Sequence, residues 1–373
     1  MLMSAPETFE IFLVAMPGLE ADLCDEARAL GFGDAVVVTG GVALQGTWPD
    51  VWRANLYLRG ASQVLARIGS FHVSHLAQLD KLARKFPWGD TLRADVPVRV
   101  EVTCKKSRIY HAGAAAQRIE TAIREELGAV IDEKAGLCVR ARIEDNLCTL
   151  SLETSGEALH KRGHKLGIGK APMRETMAAM LLRQCGYKGD EPVLDPMCGS
   201  GTFVIEAAEI AARLAPGRER AFAFEQLKSF DAAAWQRMKK ADMAMKPGIT
   251  FHGSDRDAGA IAMATANAER AGVSGFTQFR QLAVSSLEQP SGPAGLVIVN
   301  PPYGTRIGNK KPLHDLHKAF GQVMLAKFSG WRVGLVTSEP ALAKSTGLPF
   351  LPPGRSMLHG GLRVQLCQTK ALP

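Results

Sequence analysis

Pro192-Val193-Leu194-Asp195-Pro196-Met197-Cys198-Gly199-Ser200-Gly201-Thr202 is the stretch that decides the fold. A short apolar run breaks at two glycines one residue apart and gives way to an alanine-rich amphipathic stretch from Thr202 to Leu214. That is the order strand, glycine turn, helix. Glycine tolerates the tight backbone that passes close to a ligand, and a helix start adds unpaired N–H groups and the positive end of the helix dipole. The dinucleotide pattern of glycines is incomplete, because Val204 stands where that fingerprint wants Gly or Ala. Asp195, just before the glycines, suits an amine-bearing ligand better than a pyrophosphate.

A second motif follows another apolar run, Gly295-Leu296-Val297-Ile298-Val299, and reads Asn300-Pro301-Pro302-Tyr303. It sets an amide, a proline-stiffened carbonyl and an aromatic ring at the carboxyl end of a strand, where open α/β sheets bind ligands. One loop then holds a cofactor and the other a planar base. A rigid turn with a packed tyrosine is the plainer alternative for the second motif.

Working outward, residues 171–373 alternate as a doubly wound α/β domain. A helix is expected from Pro172 to Gln184, with strands beginning near Val193, Ile249, Phe276, Leu296, Val333 and Leu362. Residues 216–248 are too long for a plain crossover and read as an insertion with a helix around Ala232 to Met243. Residues 1–60 read as strand, helix, strand, strand, helix, with Thr47 as an N-cap. Residues 61–155 repeat the alternation, including a helix from Ala112 to Leu127, and residues 156–170 form a glycine-rich basic linker.

The chain has 373 residues, 46% of them apolar, so two or three soluble domains are expected. No charge-free apolar run reaches membrane-spanning length, and seven cysteines without a C-x-x-C pair suggest neither a disulfide framework nor a zinc knuckle. A cytoplasmic, reduced protein is expected. The net charge of +8 is uneven: residues 1–60 carry 3 basic and 8 acidic side chains, residues 61–170 carry 18 and 13, and residues 171–373 carry 24 and 16. The first sixty residues do not look like a phosphate-binding surface, whereas the rest could meet a polyanion. Lys105, Lys106 and Arg108, with Arg118 and Arg124, could line a phosphate path, or form a solvated helix face. The histidine pairs 72/75, 160/164 and 314/317 read as packing or surface residues, not metal ligands.

Together and in this order, the two motifs resemble the class I S-adenosylmethionine-dependent methyltransferases that act on exocyclic amines of bases. The fuller order resembles the RlmL-like family of bacterial RNA methyltransferases: a ferredoxin-like segment (1–60), a THUMP RNA-binding domain (61–155), a linker (156–170) and a Rossmann-like catalytic domain (171–373) with a seven-stranded, mostly parallel sheet. Leu159-His160-Lys161-Arg162-Gly163, Ala171-Pro172-Met173-Arg174-Glu175-Thr176 and Asn300 to Gly304 carry the likeness beside the glycine turn. The resemblance implies guanine-N2 methylation of RNA, most readily 23S rRNA, with transfer RNA as runner-up substrate and ribosome-assembly particles as partners. A DNA adenine-N6 enzyme and a non-catalytic RNA-binding protein are the further alternatives.

By that resemblance Asp195, Pro196, Met197, Cys198, Gly199, Gly201 and Thr202 cradle the cofactor, and Asp255 takes its ribose hydroxyls, since a carboxylate accepts two hydrogen bonds at once. A helix cap for Ala258 onward is the competing role for Asp255. Asn300 and the Pro301 carbonyl accept the N–H groups of the base amine, Pro302 stiffens the turn and Tyr303 stacks on the base. Lys105, Lys106, Arg108, Lys161 and Arg162 would meet RNA, and no metal is required. Two departures stand out. Gln281-Leu282-Ala283-Val284-Ser285 holds no acid where the family places one facing the cofactor adenine. The chain also stops at Pro373, so a second, fused methyltransferase module is not expected.

Overall fold

The computed structural model describes residues 8–166, 173–241, 244–302 and 311–373. It divides into two compact units: residues 1–15, 23–159 and 217–241 form the first, and 16–22, 160–216 and 242–373 the second.

The chain begins with β1 (Phe9–Val14), α1 (Glu20–Ala29), β2 (Val36–Val38), β3 (Gly41–Gly46) and α2 (Trp48–Tyr57). β4 (Gln63–His72), α3 (Leu76–Lys85), β5 (Val98–Lys105), α4 (Ala112–Leu127), β6 (Leu137–Glu144) and β7 (Leu147–Glu153) follow. Thr47 starts α2 in a capping box with Asp50, and Gly128, at φ 81°, ends α4 in the left-handed conformation that glycine favours. All seven strands join one sheet in the order β2-β3-β1-β4-β7-β6-β5, antiparallel except for the β5–β6 pair. One sheet thus runs through both segments that the sequence divides at residue 60. Alternation places Ile11, Leu13, Val64 and Ala66 in its core.

The second unit contributes α5 (Glu175–Gln184), β8 (Val193–Asp195) and α6 (Thr202–Ala211). The chain then returns to the first unit with α7 (Ala232–Lys240) before β9 (Phe251–Asp255), α8 (Ala258–Arg270), β10 (Thr277–Gln281) and β11 (Leu296–Val299). α9 (Lys311–Lys327), β12 (Arg332–Thr337), α10 (Pro340–Ser345), β13 (Met357–His359) and β14 (Leu362–Gln368) complete it. The sheet order is β10-β9-β8-β11-β12-β14-β13, with β8 to β12 parallel and β14 antiparallel to both β12 and β13. Because β8 pairs with β9 on one side and β11 on the other, the strand order reverses there, and the open crevice lies at their carboxyl ends. β8 and β11 are buried throughout, as two-sided parallel strands must be.

Two features differ from the sequence expectation. Of the segment 216–248 read as an insertion in the catalytic domain, residues 217–241 fold with the first unit: Phe222, Phe224 and Trp235 are buried, Phe224 stacks on Trp52, and the Gly217 N–H donates to the Leu56 carbonyl at 3.0 Å. Its aromatic content has a core to join, which local periodicity cannot reveal. The segment read as a glycine-rich basic linker is not a free tether either, because Leu159, Arg162 and His164 are buried. Among the described residues no helix is long and apolar enough to cross a membrane.

Candidate active site

β8 ends at Asp195, and the turn that follows is held by its own polar groups. The Met197 N–H donates to Asp195 Oδ1 at 3.0 Å, the Cys198 N–H to the Ser254 carbonyl at 2.9 Å, and the Gly199 N–H to Asp255 Oδ2 at 3.1 Å. The Gly201 N–H closes the turn on the Cys198 carbonyl at 2.8 Å, and Asn267 Nδ2 clamps the Ser200 carbonyl at 3.0 Å. With these amides engaged inside the turn, the donors left for a ligand include the Ser200 N–H and those in the first turn of α6, which have no intrahelical acceptor.

The two glycines have different reasons to be glycine. Both sit at positive φ, 51° at Gly199 and 86° at Gly201. A Cβ on Gly199 would meet nothing within 4 Å, whereas one on Gly201 would press on Ala264, Ile205 and Phe279 at 3.1–3.2 Å. Gly201 therefore lets α6, α8 and β10 pack closely, and a side chain there would disturb packing before it obstructed a cofactor. Gly199 leaves space open beside the turn.

Asp195 is 3% exposed, and burial pushes its carboxyl up to about 8; the Met197 N–H opposes that shift and the nearby Asp255 charge adds to it. A buried carboxyl with no cation beside it among the described residues is poised to receive one. Asp255 at the end of β9 uses one oxygen for Gly199 and the other, Oδ1, for the Asp257 N–H at 3.0 Å. The N-cap of α8 is Asp257, whose Oδ1 accepts from the Gly259 N–H at 2.8 Å, so the capping role considered for Asp255 belongs to its neighbour. Past β10, where the expected acid is missing, Gln281 Nε2 donates to the Arg256 carbonyl at 3.1 Å and the Leu282 N–H to the Asp255 carbonyl at 2.9 Å.

Asn300 follows β11 directly, on the strand adjacent to β8. Its Oδ1 is buried and accepts no hydrogen bond among the described residues. Leaving a buried amide oxygen unpaired costs about 1–3 kcal/mol, so such an atom calls for a donor brought from outside. Pro301 is buried and Pro302 exposed, while Tyr303 and Gly304 lie outside the described residues.

Other expected site residues are placed differently. Pro196 and Cys198 are buried and Met197 is half-buried; the Cys198 thiol is held far above its usual range by burial. Thr202 does not turn its hydroxyl to the open side: Oγ1 accepts from Lys165 Nζ at 2.9 Å. That ammonium also donates to the Met173 carbonyl at 2.7 Å and lies 3.1 Å from Glu175, tying the starts of α5 and α6 together. Arg162, expected to meet RNA, is 2% exposed and pairs with Glu206 on α6 at 3.4 Å, and His164 Nδ1 lies 3.8 Å from Glu209. That reading of Arg162 is corrected: a guanidinium enclosed with a buried carboxylate is not available to phosphate. Lys161, Lys105, Lys106 and Arg108 are exposed, with Lys105 3.4 Å from Glu144. Glu206 and Glu209 interrupt an otherwise apolar helix, which signals that they need partners without saying that Arg162 is one of them. Among the described residues the one grouping of metal-ligand type, Glu101, Cys138 and Glu153, is crossed by Arg99 and Arg140, whose guanidinium groups pair with its carboxylates.

Comparison with known proteins agrees with this geometry. Residues 162–348 match the family described as the RMKL-like methyltransferase domain, and residues 10–65 match the RlmL ferredoxin-like domain. slr0064 of Synechocystis sp. (strain ATCC 27184 / PCC 6803 / Kazusa), a candidate RNA methyltransferase, is 30% identical over 90% of this chain and 90% of its own. The ribosomal RNA large subunit methyltransferase K/L of Syntrophotalea carbinolica is 32% identical over 93% of this chain, which spans 51% of that longer protein. The crystal structure of SMU.472, a candidate methyltransferase complexed with S-adenosylhomocysteine, superposes with a TM-score of 0.87 at 27% identity, covering 99% of this chain and 100% of that one. The chain belongs to the RMKL-like methyltransferase family.

Proposed function

We propose that this methyltransferase uses S-adenosylmethionine to methylate the exocyclic N2 amine of a guanosine in RNA, with 23S rRNA, free or in ribosome-assembly particles in the cytoplasm, as the substrate. The observation that carries the chemistry is the buried Oδ1 of Asn300, unpaired among the described residues, at the carboxyl end of β11 on the strand beside β8. S-adenosylmethionine supplies an electrophilic methyl on a positively charged sulfur. The residues of this chain supply the rest. Asp195 offers a buried carboxyl to a cationic group, Gly199 leaves room beside it, and Asp255, anchored through two backbone amides, holds an acceptor edge for a diol.

A base amine is a weak nucleophile because its lone pair is delocalised into the ring. Asn300 Oδ1 and the Pro301 carbonyl can each accept one of its N–H groups. That orients the nitrogen lone pair and favours the positive charge that develops on it during transfer. RNA as the substrate class is supported by the names of the two sequence relatives, and guanine-N2 and large-subunit rRNA by the likeness of the motifs to the RlmL-like enzymes. The first unit, with its exposed Lys105, Lys106 and Arg108, is assigned THUMP-type RNA capture on the same grounds.

The test is transfer from isotope-labelled S-adenosylmethionine to ribosomal RNA, transfer RNA and DNA from cells lacking the protein, followed by nucleoside mass spectrometry. Labelled N2-methylguanosine in 23S rRNA is expected. Label confined to transfer RNA would replace the substrate, and N6-methyladenine in DNA would replace the whole assignment.

A further inference from the structure

The turn between β5 and α4 presents a built surface that the methyl-transfer site does not use. Tyr110 is 84% exposed, more than any other large hydrophobic among the described residues, while Ile109 beside it is 4% exposed and anchors the turn. The turn is fixed through the β6–β7 connection. The Asn146 N–H donates to Ser107 Oγ at 3.0 Å, the Arg108 N–H donates to Asn146 Oδ1 at 2.9 Å, and Ser107 Oγ donates to the Lys105 carbonyl at 2.9 Å. Lys106 is held at φ 46°, a left-handed conformation that a lysine adopts only where its surroundings impose it. At the far end, His111 Nδ1 accepts the Ala114 N–H at 3.1 Å and caps α4.

We propose that Tyr110, flanked by Lys106 and Arg108, is a stacking platform for an unpaired base of the RNA substrate. This rests on the RNA reading given above. Holding an aromatic ring in water on a rigid turn exposes apolar area for no packing return. A nucleobase offers a complementary flat face whatever its identity, so stacking there is tolerant of sequence. The charge around the ring has the matching sign. Lys105 and Arg142 share Glu144, and Asp145 is adjacent, whereas Lys106 and Arg108 have no carboxylate partner among the described residues and remain for the phosphates on either side of the base. A protein partner would instead need an apolar surround, which the exposed Lys105, Lys106 and Arg108 preceding Tyr110 do not provide.

Binding of a short unpaired RNA oligonucleotide and of a blunt RNA duplex, each across a salt series, tests this in the full chain. Unfolding temperatures and cofactor affinity should be the same for all variants. Tyr110→Ala should weaken binding of the unpaired RNA roughly 5- to 150-fold with its salt slope unchanged, while Tyr110→Phe keeps the affinity and duplex binding stays at the parent level. Lys106→Ala with Arg108→Ala should lower the salt slope by about 0.7 for each phosphate that is no longer neutralised. Parent-like binding of unpaired RNA by Tyr110→Ala, or an equal loss on duplex, overturns the stacking role alone. A parent chain that binds neither RNA overturns it together with the RNA reading.

Discussion

Asp195→Asn isolates the electrostatics of the glycine turn. The carboxyl is fully buried with its pKa raised from 3.8 to about 8. A carboxyl that keeps its proton longer when folded makes the folded state bind more protons than the unfolded one. Stability therefore falls as pH rises between those two values, by about 1.4 kcal/mol per unit, and levels off above the folded value. The ceiling is on the order of 5 kcal/mol, and relaxation around the charge lowers it. Asparagine keeps the shape and removes the titration, so the variant should gain unfolding temperature over the parent progressively as pH is raised through that window.

Cofactor binding should show the opposite trend. If the ionised carboxylate receives a cationic group, binding at neutral pH must first release the proton. With a pKa of about 8, that costs about 1.4 kcal/mol at pH 7, or a factor of about ten in affinity. Below the range where the cofactor's own α-amino group titrates, at about 7.7, affinity should rise nearly tenfold per pH unit. Calorimetry in buffers of different ionisation heat should count close to one proton released. Asp195→Asn should bind more weakly, with affinity flat in pH and no proton released. A parent affinity that is flat in pH, or a variant that keeps the parent's slope, refutes the assignment of Asp195 to a cationic group.

The two turn glycines should separate stability from binding. Gly201→Ala strains φ and presses on three side chains, an expected loss of about 2–4 kcal/mol by chemical denaturation, whereas Gly199→Ala should cost about 1 kcal/mol and act chiefly on cofactor affinity. Arg162→Ala leaves Glu206 buried beside a missing partner and should destabilise by about 3–5 kcal/mol, with no change in the salt slope of RNA binding. A fragment starting at residue 160 should be poorly soluble. It keeps the buried Phe222, Phe224 and Trp235 without Trp52, on which Phe224 stacks, and it lacks Met16 and Leu19 from the second unit's core. A soluble, cofactor-binding fragment would show that these segments are dispensable.

Local features were legible in the sequence because their causes are local. The helix expected from Ala112 to Leu127 has those bounds, set by apolar periodicity and by Gly128 at its end. Thr47 starts α2 as the N-cap expected, and the glycine turn follows a buried strand. What stayed hidden depends on distant chain. Periodicity marks a face as apolar without saying what covers it, so residues 217–241 could not be assigned to the first unit, nor Arg162 to the interior. The strand Met357–His359 is too short to show alternation, and the sheet needs it only as an edge beside β14. At the site, the motifs located both loops, but the Lys165 contacts to Thr202, Met173 and Glu175 bring together residues whose separation in sequence carries no periodic signal.

Single-turnover methyl transfer by Asn300→Ala, with cofactor affinity measured on the same preparation, bears most directly on the chemistry. Asn300 Oδ1, at the end of β11, is buried without a partner among the described residues and is assigned to the substrate amine. Losing one oriented acceptor should cost about 2–4 kcal/mol of transition-state stabilisation, a fall in rate of roughly 30- to 1000-fold, with S-adenosylmethionine affinity nearly intact. A parent-like transfer rate, or a loss confined to cofactor binding, would contradict the assignment of this amide to the reacting amine.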